Sequence, residues 1–135
     1  MLSFLTDEWI AALDEAATTD AALRELSADL VLTIEQEVTG GPDGDVRYHV
    51  VFHHGQVSVR PGPAPDATLR FSQDYETAAA ISLGSGSAQR AFMTGQLRVG
   101  GDLRVLLDHG EAMAQLHDAF GAVRARTVAV GLGGD

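Results

Sequence analysis

The chain has 135 residues, 45% of them hydrophobic and 21% charged, which suits a single globular domain able to bury most of its own apolar surface. Its net charge is −10 and its nine cations are all arginine, a balance that argues against nucleic acid as a partner and repels an anionic membrane surface. With neither cysteine nor lysine, the chain lacks disulfides, thiolate catalysis, cysteine-held metals, Schiff-base chemistry and the P-loop lysine.

Met1–Glu8 carries no basic leader and turns acidic at once, so it does not read as a secretory signal. No uncharged apolar run approaches the length of a membrane span, and a cytoplasmic protein is the expectation. Thr6 precedes two acids and an apolar series at Trp9, Ile10, Leu13, Ala16 and Ala17. An N-cap, acids at the positive helix end and this spacing predict an amphipathic helix over 7–17. Ala21–Leu26 is read as a second, short helical turn.

From Ala28 the period changes to two. Leu30, Leu32, Ile34 and Val38 fall on one face of a strand, and Val31, Thr33, Glu35 and Glu37 on the other. Gly40–Asp45 is rich in turn formers, after which Val46, Tyr48, Val50 and Phe52 alternate with Arg47, His49, Val51 and His53. His54-Gly55 turns the chain into a third strand with Val57 and Val59, and Pro61–Pro65 makes a stiff loop. Ala67, Leu69 and Phe71 mark a fourth strand. Ser72 is placed to cap a helix from Gln73 to Leu83, stopped by Gly84.

Ser87 opens a shorter helix with Ala88, Ala91, Phe92 and Met93, closed by Gly95, and Leu97 and Val99 mark a fifth strand. Asp102 then caps one long helix with Leu103, Leu106, Leu107, Gly110, Met113, His117 and Phe120 along one side. The domain is expected to end at Ala125, with 126–135 a loosely held tail in which Thr127–Val130 adds at most a short edge strand. Runs of strands followed by helices predict an α+β fold with helices over one face of an antiparallel sheet.

No polar constellation meets the requirements of a reaction. His49 and His53 lie four residues apart on one strand face, roughly 13 Å, too far for joint metal ligation, and pair more naturally with acids across the sheet. The Gly84–Ser87 string lies between two helices, where a hydrolase elbow needs a strand before it. Gly100-Gly101-Asp102 places a negative charge where an anion would have to bind. The paired acids Glu35/Glu37, Asp14/Glu15 and Asp108/Glu111 fall on faces expected to be wet. No catalytic residue, metal or cofactor is expected.

The apolar residues carry the remaining signal. Asp66-Ala67-Thr68-Leu69-Arg70-Phe71-Ser72 is similar to the strand-to-helix passage of sterol carrier protein 2 domains. Ala91-Phe92-Met93-Thr94-Gly95-Gln96-Leu97-Arg98-Val99-Gly100-Gly101-Asp102, followed by Leu106-Leu107, resembles that family's run of helix, glycine, amphipathic strand, Gly-Asp turn and final helix. The order of elements agrees over residues 23–121.

The resemblance implies a five-stranded, mostly antiparallel sheet covered by helices, with an apolar tunnel between the layers. It implies binding of sterols, fatty acids or acyl-CoAs and their transfer between membranes, without catalytic residues. Phe71, Ile81, Phe92, Met93, Leu97, Leu106 and Met113 match its tunnel-facing pattern, and periodicity adds Leu32, Ile34, Phe52 and Phe120. The alanine-heavy, lysine-free composition reads as that of a bacterial, stand-alone member, for which a fatty-acyl chain or other apolar metabolite is a better expectation than sterol. The alternative is a closed accessory domain that forms a homodimer or partners a separately encoded enzyme.

Overall fold

A computed structural model describes residues 1–83 and 86–129. The chain forms β1 (Leu2–Ser3), α1 (Asp7–Thr19), α2 (Ala21–Leu26), β2 (Val31–Gly41), β3 (Gly44–His53), β4 (Gln56–Pro61) and β5 (Leu69–Asp74). It continues through α3 (Tyr75–Ser82), α4 (Ala88–Met93), β6 (Arg98–Gly101), α5 (Arg104–Asp108), α6 (Gly110–Ala119), α7 (Gly121–Ala125) and β7 (Thr127–Val128). The main sheet has the order β4-β3-β2-β5-β6, antiparallel at every joint except β2–β5, where the chain crosses over to run parallel. The architecture is α+β, as the strand and helix patterns predict.

The first helix forms where its cap dictates. The Thr6 side chain accepts from the Trp9 N–H, and Trp9, Ile10, Leu13 and Ala17 are buried against the sheet. Asp20 stops α1 and caps α2, accepting from the Leu23 N–H at 2.8 Å. The pairs Leu32–Phe52, Ile34–Val50 and Val38–Val46 lie opposite one another across β2 and β3, and Phe52–Val57 and Val50–Val59 continue the same dry face onto β4. Helix α1 lies on β4 with α2 beside it, and α3 lies on β2 and β5.

Three sequence expectations are corrected. The fourth strand does not end at Phe71: ladder pairing with β2 carries β5 on through Asp74, so Ser72 and Gln73 are strand residues and Asp74, not Ser72, caps α3. The long helix after Asp102 is broken in three, at His109 before Gly110 and at Phe120 before Gly121. Glycine costs a helix about 1 kcal/mol relative to alanine, and here two such weak points coincide with turns that keep the segment wrapped over the sheet. Nor is the chain loose directly after Ala125. Thr127 is buried, its hydroxyl donates to the Val123 carbonyl at 2.6 Å, and β7 pairs in parallel with β1. The expected stop at Gly84, the Ser85 of the same connector, and residues 130–135 lie outside the described residues.

The other sheet face is the charged one, but Glu35 is not wet. It is 2% exposed, covered by the loop after β4, and accepts from the Ala64 N–H at 2.8 Å and from Arg70 Nε at 3.2 Å, with Arg47 at 3.8 Å. His49, on the neighbouring strand, sets Nδ1 2.9 Å from the Gly62 carbonyl of the same loop. These contacts fasten the proline loop down and occupy the groups from which a metal site would have to be built. Gly101 closes the opposite edge: its φ is 104° and a Cβ there would stand 2.3 Å from the Thr68 carbonyl, so the Gly-Asp turn admits only glycine.

Hydrogen bonds from the Thr77 side chain and backbone N–H hold the Asp74 carboxyl below the usual aspartate range. Replacing Asp74 by Ala should cost about 1 kcal/mol near neutral pH. A depressed folded-state pKa gives stability that is complete above the unfolded-state value and lost as pH falls through the folded one. The gap between wild type and Asp74→Ala in urea unfolding should therefore close below about pH 4. Glu35→Ala should lower stability by about 1.5–3 kcal/mol, the contribution of hydrogen bonds to a charged group, in the same measurement.

Candidate functional site

The helices do not cover the dry face evenly. Helix α6 packs mainly on α1, α2, α5 and α7 and makes few contacts with any strand, so its inner side hangs above the sheet rather than resting on it. The space left beneath is a cavity of about 680 Å³, within the ~300–1,000 Å³ typical of small-molecule sites. Its floor is Ile34, Gln36, Tyr48, Val50, Phe71 and Val99 of the sheet. Its roof is built from Leu103, Leu106, Leu107, Met113, Leu116 and Phe120 of the broken helical segment. Trp9 and Leu13 of α1, and Val123 of α7, close one side, and Ile81, Phe92 and Leu97 the other.

Eight of the eleven residues singled out from the sequence lie on this wall: Ile34, Phe71, Ile81, Phe92, Leu97, Leu106, Met113 and Phe120. Three do not. Leu32 and Phe52 share the dry face but sit at its far end, where α1 and α2 close completely; they are 1% and 0% exposed. Met93 is 76% exposed, because successive residues of a helix point about 100° apart and the wall takes Phe92. The mouth can be located by exposure: Leu107 belongs to the wall yet is 80% exposed, and Phe92 is 43% exposed.

Sequence reasoning passed over Trp9, Tyr48, Val50 and Val99 as ordinary core and did not notice Gln36. A signal for Gln36 was present. It is the one polar residue between Ile34 and Val38 on the otherwise apolar series of β2. Gln36 lies opposite Tyr48 in the register of β2 and β3, and its side-chain oxygen accepts from Gln73 Nε2 at 2.8 Å. Tyr48 stands edge-on to Trp9, with ring centres 5.4 Å apart, and burial pushes its phenol well above the usual tyrosine range. It therefore stays protonated across the physiological range and serves as a neutral donor or acceptor. Arg124, half-buried on the wall beside Val123, donates to the His117 carbonyl at 3.0 Å and forms no ion pair among the described residues.

This arrangement offers apolar contact on nearly all sides, a few uncharged polar atoms on the floor and one arginine on the wall. Among the described residues no three His, Asp or Glu side chains converge as a metal site would need, and no helix is long and apolar enough to cross a membrane.

Solved structures repeat the fold. A conserved hypothetical protein from Thermus thermophilus, described as possibly a sterol carrier protein, matches with a TM-score of 0.73 at 19% identity, over 91% of this chain and 91% of that one. A crystal structure of sterol carrier protein 2 matches with a TM-score of 0.71 at 19% identity, over 90% of this chain and 97% of that one. The apo form of sterol carrier protein 2 from Yarrowia lipolytica matches with a TM-score of 0.61 at 16% identity, over 85% of this chain and 95% of that one. At these identities the likeness speaks for the fold alone. No curated protein matches the chain. The model of the SCP-2 sterol transfer family matches residues 10–113, which span α1 through α6, both layers and most of the cavity wall: the chain belongs to the SCP-2 sterol transfer family.

Proposed function

We propose that the protein binds a lipid-like molecule in the cavity between its sheet and helices, as a carrier rather than a catalyst. The observation that supports this most directly is the cavity itself: about 680 Å³ of space, walled chiefly by Leu, Ile, Val, Phe and Met and opening between exposed Phe92 and Leu107. Membership of a lipid-transfer family agrees with it. The wall is overwhelmingly apolar, and the family is one of transfer proteins, which is why a carrier is the better reading. A fatty-acyl chain fits the chemistry well. Each buried methylene contributes about 0.8 kcal/mol, so a long chain gains roughly 10 kcal/mol before association costs, enough for about micromolar binding afterwards.

Organic extraction of the purified protein followed by mass spectrometry should release an apolar molecule, and delipidated protein should enhance the emission of a fluorescent fatty acid. Leu97→Trp, which fills the space, should weaken that probe by roughly tenfold, the equivalent of about two excluded methylenes. Met93→Asp, outside the wall, should leave it unchanged. Failure of the wild type both to yield an extractable lipid and to bind the probe would refute the reading.

A further inference from the structure

The cavity floor contains a polar corner that a plain hydrocarbon would leave unused. Tyr48 is 8% exposed, yet its hydroxyl has no hydrogen-bond partner among the described residues. It is not an enclosed orphan either, since no sealed side-chain nitrogen or oxygen among the described residues lacks a partner. Tyr48 is one of the residues that line the cavity. Gln36, directly across the β2–β3 ladder, commits its oxygen to Gln73 and leaves its amide N–H groups without a partner among the described residues. Trp9, edge-on to Tyr48 and 4% exposed, has an indole N–H in the same position. Three neighbouring wall residues thus hold donor capacity that the described residues do not use. Such donors lose their water when an apolar guest fills the space, and an unmet buried donor is destabilising.

Building on the lipid-binding reading above, we infer that the ligand carries a neutral oxygen acceptor, such as a ketone, ester or ether oxygen, which docks at the corner formed by Trp9, Gln36 and Tyr48. A carboxylate is a poorer fit. The arginine of this wall is Arg124, on α7 rather than on the sheet, and an unpaired charge on a dry floor is strongly unfavourable. The corner therefore selects both chemistry and orientation: the oxygen-bearing end lies on the sheet, and the hydrocarbon runs beneath the helical roof.

The test is a competition assay on delipidated protein, displacing a fluorescent fatty acid with 2-tridecanone or with 1-chlorododecane. These are neutral chains of similar size that differ in acceptor strength. In Tyr48→Phe and in Gln36→Leu the affinity for 2-tridecanone should fall about threefold to tenfold, the contribution of one neutral hydrogen bond, while that for 1-chlorododecane stays level or rises. The ligand-free Tyr48→Phe protein should melt no lower than wild type, because the lost hydroxyl has no partner among the described residues. A ketone-to-chloride affinity ratio identical in wild type and both variants overturns the inference and leaves the carrier reading standing. A wild type that binds neither the probe nor either competitor overturns both.

Discussion

The structure turns on a mismatch between one continuous apolar sheet face and the helices available to cover it. At the β4 and β3 end, α1 and α2 come down directly on the strands, and Leu23, Leu32 and Phe52 are sealed in solid packing. At the β5 and β6 end, coverage falls to short pieces, of which α6 leans on other helices instead of the sheet. Close packing therefore stops midway across the same face. Protein interiors tolerate few voids larger than a water molecule, so an apolar space of this size departs from ordinary core packing and supports the proposed ligand site.

Two features keep that space from collapsing. The roof is divided at His109 and Phe120, so it bends around the cavity and is braced at its ends by α2 and α7. Beneath the sheet, the buried Glu35 carboxylate ties β2 to the proline loop and to Arg70 of β5, the strand that borders the parallel crossover. The charged face stiffens the floor, and the apolar face lines the cavity. A rigid floor under a segmented roof lets a pocket admit a ligand without unfolding its core.

The floor is not uniformly greasy, and this separates it from unfinished packing. A void left by poor complementarity would be lined by whatever core residues happened to face it. Here a glutamine and a tyrosine lie opposite one another in register, beside a tryptophan, each with hydrogen-bonding capacity to spare. Unsatisfied donors in a dry wall lower stability unless something meets them, so their placement adds nothing to the fold and agrees with the proposed ligand site.

Periodicity in the sequence was sufficient for the order of the five main strands, their dry faces and the caps at Thr6 and Ser87, because each depends on neighbours a few residues apart, whereas β1 and its pairing with β7 went unread. The family resemblance was legible too, since its Gly-Asp turn follows from a backbone that glycine alone can adopt. The extension of β5 to Asp74 was not legible, because ladder bonds to a strand over thirty residues earlier outweigh a local capping signal. Burial of Glu35 was hidden for the same kind of reason: its cover is a loop that folds back over the sheet. Only tertiary structure could divide one apolar pattern into a filled half holding Leu32 and Phe52 and an open half holding Ile34 and Phe71. Alternation tells which way a side chain points, whereas the distance to the opposite layer depends on how every helix rests on its neighbours.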